Sequence, residues 1–100
     1  MNNYIEQIRE LLPKEEVLLQ LGEEATELAK AALKLRRIYD GTNPTPVKCG
    51  EAVDNLHEEI ADVWTVLLVL GIEPHYNSGI YDVMNKKTER WVRRLAERVE

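Results

Sequence analysis

The chain has 100 residues, 44% of them hydrophobic, with 13 Lys and Arg against 18 Asp and Glu for a net charge of −5. That length sets a single domain, 1–100, with enough interior to fold without disulfides or structural metal. The charge disfavours coating a nucleic-acid polymer or an anionic membrane.

The first residues, Met1 to Glu6, lack a basic stretch followed by an apolar one, so no secretory leader is expected. Good helix formers dominate, Phe is absent and β-branched alternation is scarce, which predicts helices throughout. Residues 3–12 form a short first helix on Tyr4, Ile5, Ile8, Leu11 and Leu12, and Pro13 ends it. Pro13 then suits the first turn of a second helix, with Glu15 and Glu16 favourable at its positive N-terminal end. That helix runs to about Tyr39 and stops at Asp40-Gly41.

Residues 41–50 hold two prolines between glycines and read as the long loop. Cys49, the sole cysteine, is expected there as a thiol without evident chemistry. It excludes an internal disulfide and a Cys-based zinc site, and points to a reducing cytoplasm. A third helix spans about Glu51 to Leu70 and stops at Gly71-Ile72-Glu73-Pro74. Its longest apolar run, Val66 to Leu70, falls far short of the roughly 20 residues that cross a bilayer. His75 to Gly79 is a turn, and a fourth helix runs from about Ile80 to near the C-terminus. The expected architecture is all-α, a small bundle of one short and three longer helices.

At about 100° per residue, Val17, Leu21, Leu28, Ala31, Ala32, Leu35 and Tyr39 form an apolar stripe on the second helix. Glu24 falls inside that stripe, and Glu27 lies at its edge beside Gln20. The third helix repeats the arrangement. Ala52, Leu56, Ile60, Val63, Val66, Leu67 and Leu70 form the stripe; Glu59 sits inside it, Asp62 at the matching edge and Asn55 beside it. The two segments, Glu23-Glu24-Ala25-Thr26-Glu27 and Glu58-Glu59-Ile60-Ala61-Asp62, superimpose as text. Each offers an i, i+3 carboxylate pair, and such residues are neighbours on a helix surface. If the stripes face each other, four carboxylates converge, and shared protons or bound cations must relieve the repulsion.

The donors are all oxygen, with no Cys or inward His nearby, which suits Mg²⁺, or Mn²⁺, over zinc. A di-iron bundle needs inward Glu-x-x-His pairs, and the sole comparable spacing, Asp54 to His57, faces away from Glu59.

Glu23-Glu24-x-x-Glu27 followed by Glu59-x-x-Asp62 resembles the signature of the MazG-like all-α nucleoside triphosphate pyrophosphohydrolases. The resemblance extends from Gln20-Leu21-Gly22 through Leu33-Lys34-Leu35-Arg36-Arg37 and Asn43-Pro44-Thr45-Pro46 to Lys87-Thr88-Glu89-Arg90-Trp91. It departs in spacing, since Glu27 and Glu59 stand further apart than in compact members and the Pro-rich loop supplies the excess. The resemblance implies Mg²⁺-dependent hydrolysis of a nucleoside triphosphate to monophosphate and pyrophosphate. Glu24, Glu27, Glu59 and Asp62 would be the metal ligands, with Glu23 in a supporting or surface role. The related phosphoribosyl-ATP pyrophosphohydrolases use the same acidic scaffold, and a non-catalytic helical module is the reading from outside the enzymes.

An anionic substrate also calls for positive side chains. Lys34 lies seven residues after Glu27 on the same helix edge. On the fourth helix Ile80, Met84, Thr88, Trp91 and Leu95 form the stripe, with Lys87 at its flank as the counterpart of the family's phosphate-side lysine and Arg90 a weaker candidate. Trp91 reads as core, and His57 and His75 as exposed. After Ala61 the third helix is apolar nearly all round, which calls for burial on every side and therefore for a homodimer or homotetramer.

Overall fold

A computed structural model describes residues 3–42, 49–73 and 78–99. They form four helices: α1 (Tyr4–Leu11), α2 (Lys14–Tyr39), α3 (Cys49–Val69) and α4 (Ser78–Val99), with no strand among the described residues. Among the described residues no helix is long and apolar enough to cross a membrane.

The helix ends follow local chemistry. Pro13 precedes α2 in an extended conformation, and Glu15 and Glu16 occupy the first turn. Both long interior helices stop in the same way. Gly41 (φ 76°) and Gly71 (φ 79°) turn into the left-handed region, where a Cβ is disfavoured. Beyond α2, the Gly41 N–H donates to the Ile38 carbonyl (3.3 Å) and the Thr42 N–H to that of Arg37 (2.9 Å). Beyond α3, Gly71 donates to Leu68 and Ile72 to Leu67, both at 2.9 Å. These paired bonds satisfy carbonyls that a helix end leaves without partners.

Two boundaries differ from expectation. Cys49 and Gly50 belong to α3 rather than to the loop, and Ser78 and Gly79 to α4 rather than to the turn. The first residues of a helix need no backward hydrogen bond from their own N–H, so glycine is tolerated there. Most of the expected loop, residues 43–48, and His75 lie outside the described residues.

α2 and α3 pack as an antiparallel hairpin. Val17, near the start of α2, clusters with Val66 and Val69 at the end of α3, joined by Ile5, Ile8, Leu21 and Leu70. Ala31, Leu35 and Ala52 are also buried. α1 lies against the open end of this hairpin, where α2 begins and α3 ends. Its Arg9 donates from Nε to the Val69 carbonyl (3.0 Å) and from Nη2 to that of Leu68 (2.6 Å), while pairing with Glu6. A guanidinium on the last carbonyls of α3 complements the negative end of that helix. Arg9→Ala should therefore lower stability by about 1 kcal/mol, the charged hydrogen bonds being discounted for partial exposure. Urea unfolding would check this, and an unchanged midpoint would show that apolar contact alone seats α1.

Several residues expected in the core are not covered. Tyr39, Ala32 and Ile60 are exposed, as are Leu11 and Leu12 of the short first helix. α4 departs most: between Gly79 and Arg98 only Ile80 is even half-buried, and Met84, Thr88, Leu95 and Trp91 (65% exposed) all face water. Periodicity identifies the apolar face of a helix but not what covers it. With α4 standing clear, the radius of gyration is 17.3 Å, against about 13 Å for a compact chain of this length.

Candidate metal centre

The hairpin has a seven-residue rhythm. Val17, Glu24 and Ala31 recur at that interval on α2, and Ala52, Glu59 and Val66 on α3. Seven residues complete almost two helical turns, so each trio shares one side of its helix. In the antiparallel register set by Val17 against Val66, Glu24 comes opposite Glu59 and Ala31 opposite Ala52. The two glutamates thus occupy the middle layer of a seam that is otherwise apolar.

Asp62, one turn after Glu59, completes a triad. One carboxylate oxygen from each of Glu24, Glu59 and Asp62 lies within 4.8 Å of the others, with the glutamates half-buried and Asp62 exposed. Partial removal from water raises the pKa of Glu59 above its ordinary value of 4.5. The negative charges of Asp62, Glu24, Glu27 and Glu58 push it in the same direction. Gln20 donates from Nε2 to Glu24 Oε1 at 2.7 Å, which orients that carboxylate without neutralising it. Among the described residues no Lys or Arg forms an ion pair with the triad.

Glu27 is the expected ligand that the structure leaves outside the triad. It is exposed, and its Oε1 lies 3.5 Å from Lys30 Nζ on the next turn. The physical reason is its place at the edge of the stripe, where a solvated cation on its own helix competes for it. Its charge still acts on Glu59, so it remains close enough to matter electrostatically.

The expected cations are not brought to the triad. Lys34 is half-buried on α2 without an ion pair, and Lys87 and Arg90 are exposed on α4, which does not pack along the hairpin. Asn55 is exposed one turn before Glu59. Glu23, Glu58 and His57 are exposed, as their outward angles require. Cys49 is also exposed, though helical. Two further contacts shape the site, Gln20 to Glu24 and Lys30 to Glu27. Both follow the i, i+4 and i, i+3 spacings that join neighbouring helical side chains, so the signal was available.

All three donors are carboxylate oxygens, the type that hard divalent cations take. Opposite oxygens around Mg²⁺ at about 2.1 Å stand roughly 4.2 Å apart. Adjacent oxygens at that bond length stand roughly 3.0 Å apart, so three carboxylate oxygens within 4.8 Å of one another would have to draw together to share one ion. Comparison with family models, with curated proteins and with solved structures finds no match for this chain.

Proposed function

We propose that this chain is a Mg²⁺-dependent nucleoside triphosphate pyrophosphohydrolase, cleaving the bond between the α- and β-phosphates of a (deoxy)nucleotide to leave monophosphate and pyrophosphate. The observation that carries the reading is the middle layer of the seam, where Glu24, Glu59 and Asp62 crowd together with no ion pair to a Lys or Arg among the described residues. Taking carboxylates partly from water and setting them side by side costs stability. A bound cation offsets that cost, and the Glu23-Glu24-x-x-Glu27…Glu59-x-x-Asp62 pattern resembles one that serves this chemistry. Mn²⁺ suits the same oxygens.

In this reading Glu24, Glu59 and Asp62 would hold the metal, and Glu27 would join them by turning away from Lys30. Gln20 fixes the rotamer of Glu24. A divalent ion held there would supply charge neutralisation at the phosphate oxygens and activation of a water for attack. Lys34, Lys87 and Arg90 supply positive contacts to the phosphates. The acting species in this reading is a homodimer or homotetramer, and its compartment is the cytoplasm.

Pyrophosphate release from a panel of nucleoside triphosphates and phosphoribosyl-ATP tests the reading. Turnover of at least one of them with Mg²⁺, and none with EDTA, is the expected result. Absence of metal-dependent turnover across the panel would overturn it. Turnover of phosphoribosyl-ATP alone would reassign the substrate while keeping the chemistry.

A further inference from the structure

Beside the carboxylate layer, on the side of the hairpin that α1 covers, lies a cleft of about 270 Å³. Its floor is Val17 of α2 with Val66 and Val69 of α3, all buried, and Ile8 of α1 forms one wall. Two polar side chains, Gln20 and Thr65, stand in the lining, both exposed as a mouth requires. Gln20 precedes Glu24 by one helical turn and Thr65 follows Asp62 by one, so both border the triad. A turn rises about 5.4 Å, on the scale of the sugar that separates a base from its first phosphate. The volume falls just below the roughly 300–1,000 Å³ of sites that enclose a whole drug-sized ligand. A flat heterocycle suits it, with the polar remainder of a nucleotide left outside toward the carboxylates.

The two polar groups have fixed senses. An ionised carboxylate can only accept a hydrogen bond, so Glu24 takes an N–H of the Gln20 amide, whose Nε2 lies 2.7 Å from Glu24 Oε1. The amide carbonyl, an acceptor, is then the end that Glu24 does not hold. Thr65 gives its hydroxyl proton to the Ala61 carbonyl at 2.8 Å, and its oxygen is likewise left to accept. An exocyclic amino group, as on adenine, cytosine or guanine, brings two N–H donors, one for each acceptor. Uracil and thymine have none. Their one ring N–H is set between two carbonyls, and a carbonyl oxygen placed against either acceptor is repelled.

We propose that this cleft receives the base of the substrate, and that Gln20 and Thr65 select bases bearing an exocyclic amino group. The proposal deepens the nucleotide reading of the triad and rests on it for the class of substrate. It gives the bond between Gln20 and Glu24 a second consequence. The contact that orients a carboxylate for a cation also sets which end of the amide is open to the base.

Nucleosides carry no phosphate to cleave, so they test the cleft apart from turnover. Amide NMR spectra of the full chain, titrated with cytidine, adenosine, uridine and thymidine, are the measurement. Cytidine and adenosine should shift the signals of Ile8, Val17, Thr65 and Val69. They should bind about tenfold more tightly than uridine and thymidine, the worth of one or two exposed hydrogen bonds. Thr65→Val, which keeps the shape and removes the acceptor, should lower that ratio severalfold. Each ratio is taken within one protein, so a general loss of binding cancels from it. Four signals unmoved by any nucleoside, or uridine and thymidine binding as tightly as the other two, would overturn the proposal. So would a ratio that Thr65→Val leaves unchanged. Base selection without pyrophosphate release would keep the cleft and remove the hydrolase, whereas release indifferent to the base would keep the hydrolase and remove the cleft.

Discussion

Replacing Glu59 by glutamine should cut metal-dependent pyrophosphate release by at least about a hundredfold while leaving the metal-free protein as stable as before or more so. A metal ion contributes several kcal/mol of charge stabilisation, and each 1.36 kcal/mol is a factor of ten in rate. The stability half follows from the crowding at Glu59, where Asp62, Glu24, Glu27 and Glu58 all raise its proton affinity. Because its folded pKa lies above the unfolded value, the folded state holds its proton more tightly. Metal-free stability should then fall as pH rises from about 4.5 through the higher folded value, and recover below that window. In Glu59→Gln this component of the pH profile should vanish. Denaturant melts between pH 4 and 8, in EDTA, read both halves. Glu24→Gln should behave alike in activity. Marked destabilisation of either metal-free variant would show that the carboxylate is a structural hydrogen-bond acceptor.

Magnesium should raise the melting temperature of the wild type and fail to do so in Glu59→Gln. Ligand binding only to the folded state adds about 2.7 kcal/mol at a hundredfold excess over Kd. For a domain of this size each kcal/mol moves Tm by about 4–8 °C, so the shift expected at saturation is on the order of 10 °C. The effect should be larger for Mg²⁺ or Mn²⁺ than for an equal ionic strength of monovalent salt, since screening acts on all eighteen acids alike. A shift that persists in the variant would place cation binding elsewhere on this acidic chain.

The elements were legible because their punctuation is local. Pro13, Gly41 and Gly71 stop or start helices for reasons that need no partner, and the helical period selected Val17, Ala31, Leu35, Ala52 and Val66, all buried. Glu24 and Glu59 stood out by the same arithmetic, as acids at apolar angles, and the register of the hairpin places them in one layer. Glu27 shows where the arithmetic stops. It fixes a direction around the axis, but whether an edge side chain turns inward depends on competitors such as Lys30, which lie on its own helix. α4 shows a second limit. The amphipathic pattern of Met84, Trp91 and Leu95 was plain, yet the pattern is the same whether the cover lies in the same chain or in another.

The contact between Arg9 and the end of α3 also bears on how the chain is made. Its donor and acceptor are 60 residues apart in sequence, so α1 has nothing to latch onto until almost the whole of α3 has left the ribosome. At about 5–20 residues per second that interval is about 3–12 s. Throughout it Ile5 and Ile8, which later pack against Val17, Val66 and Val69, remain open to solvent. Of α1, α2 and α3, the one synthesised earliest is thus the last to be secured.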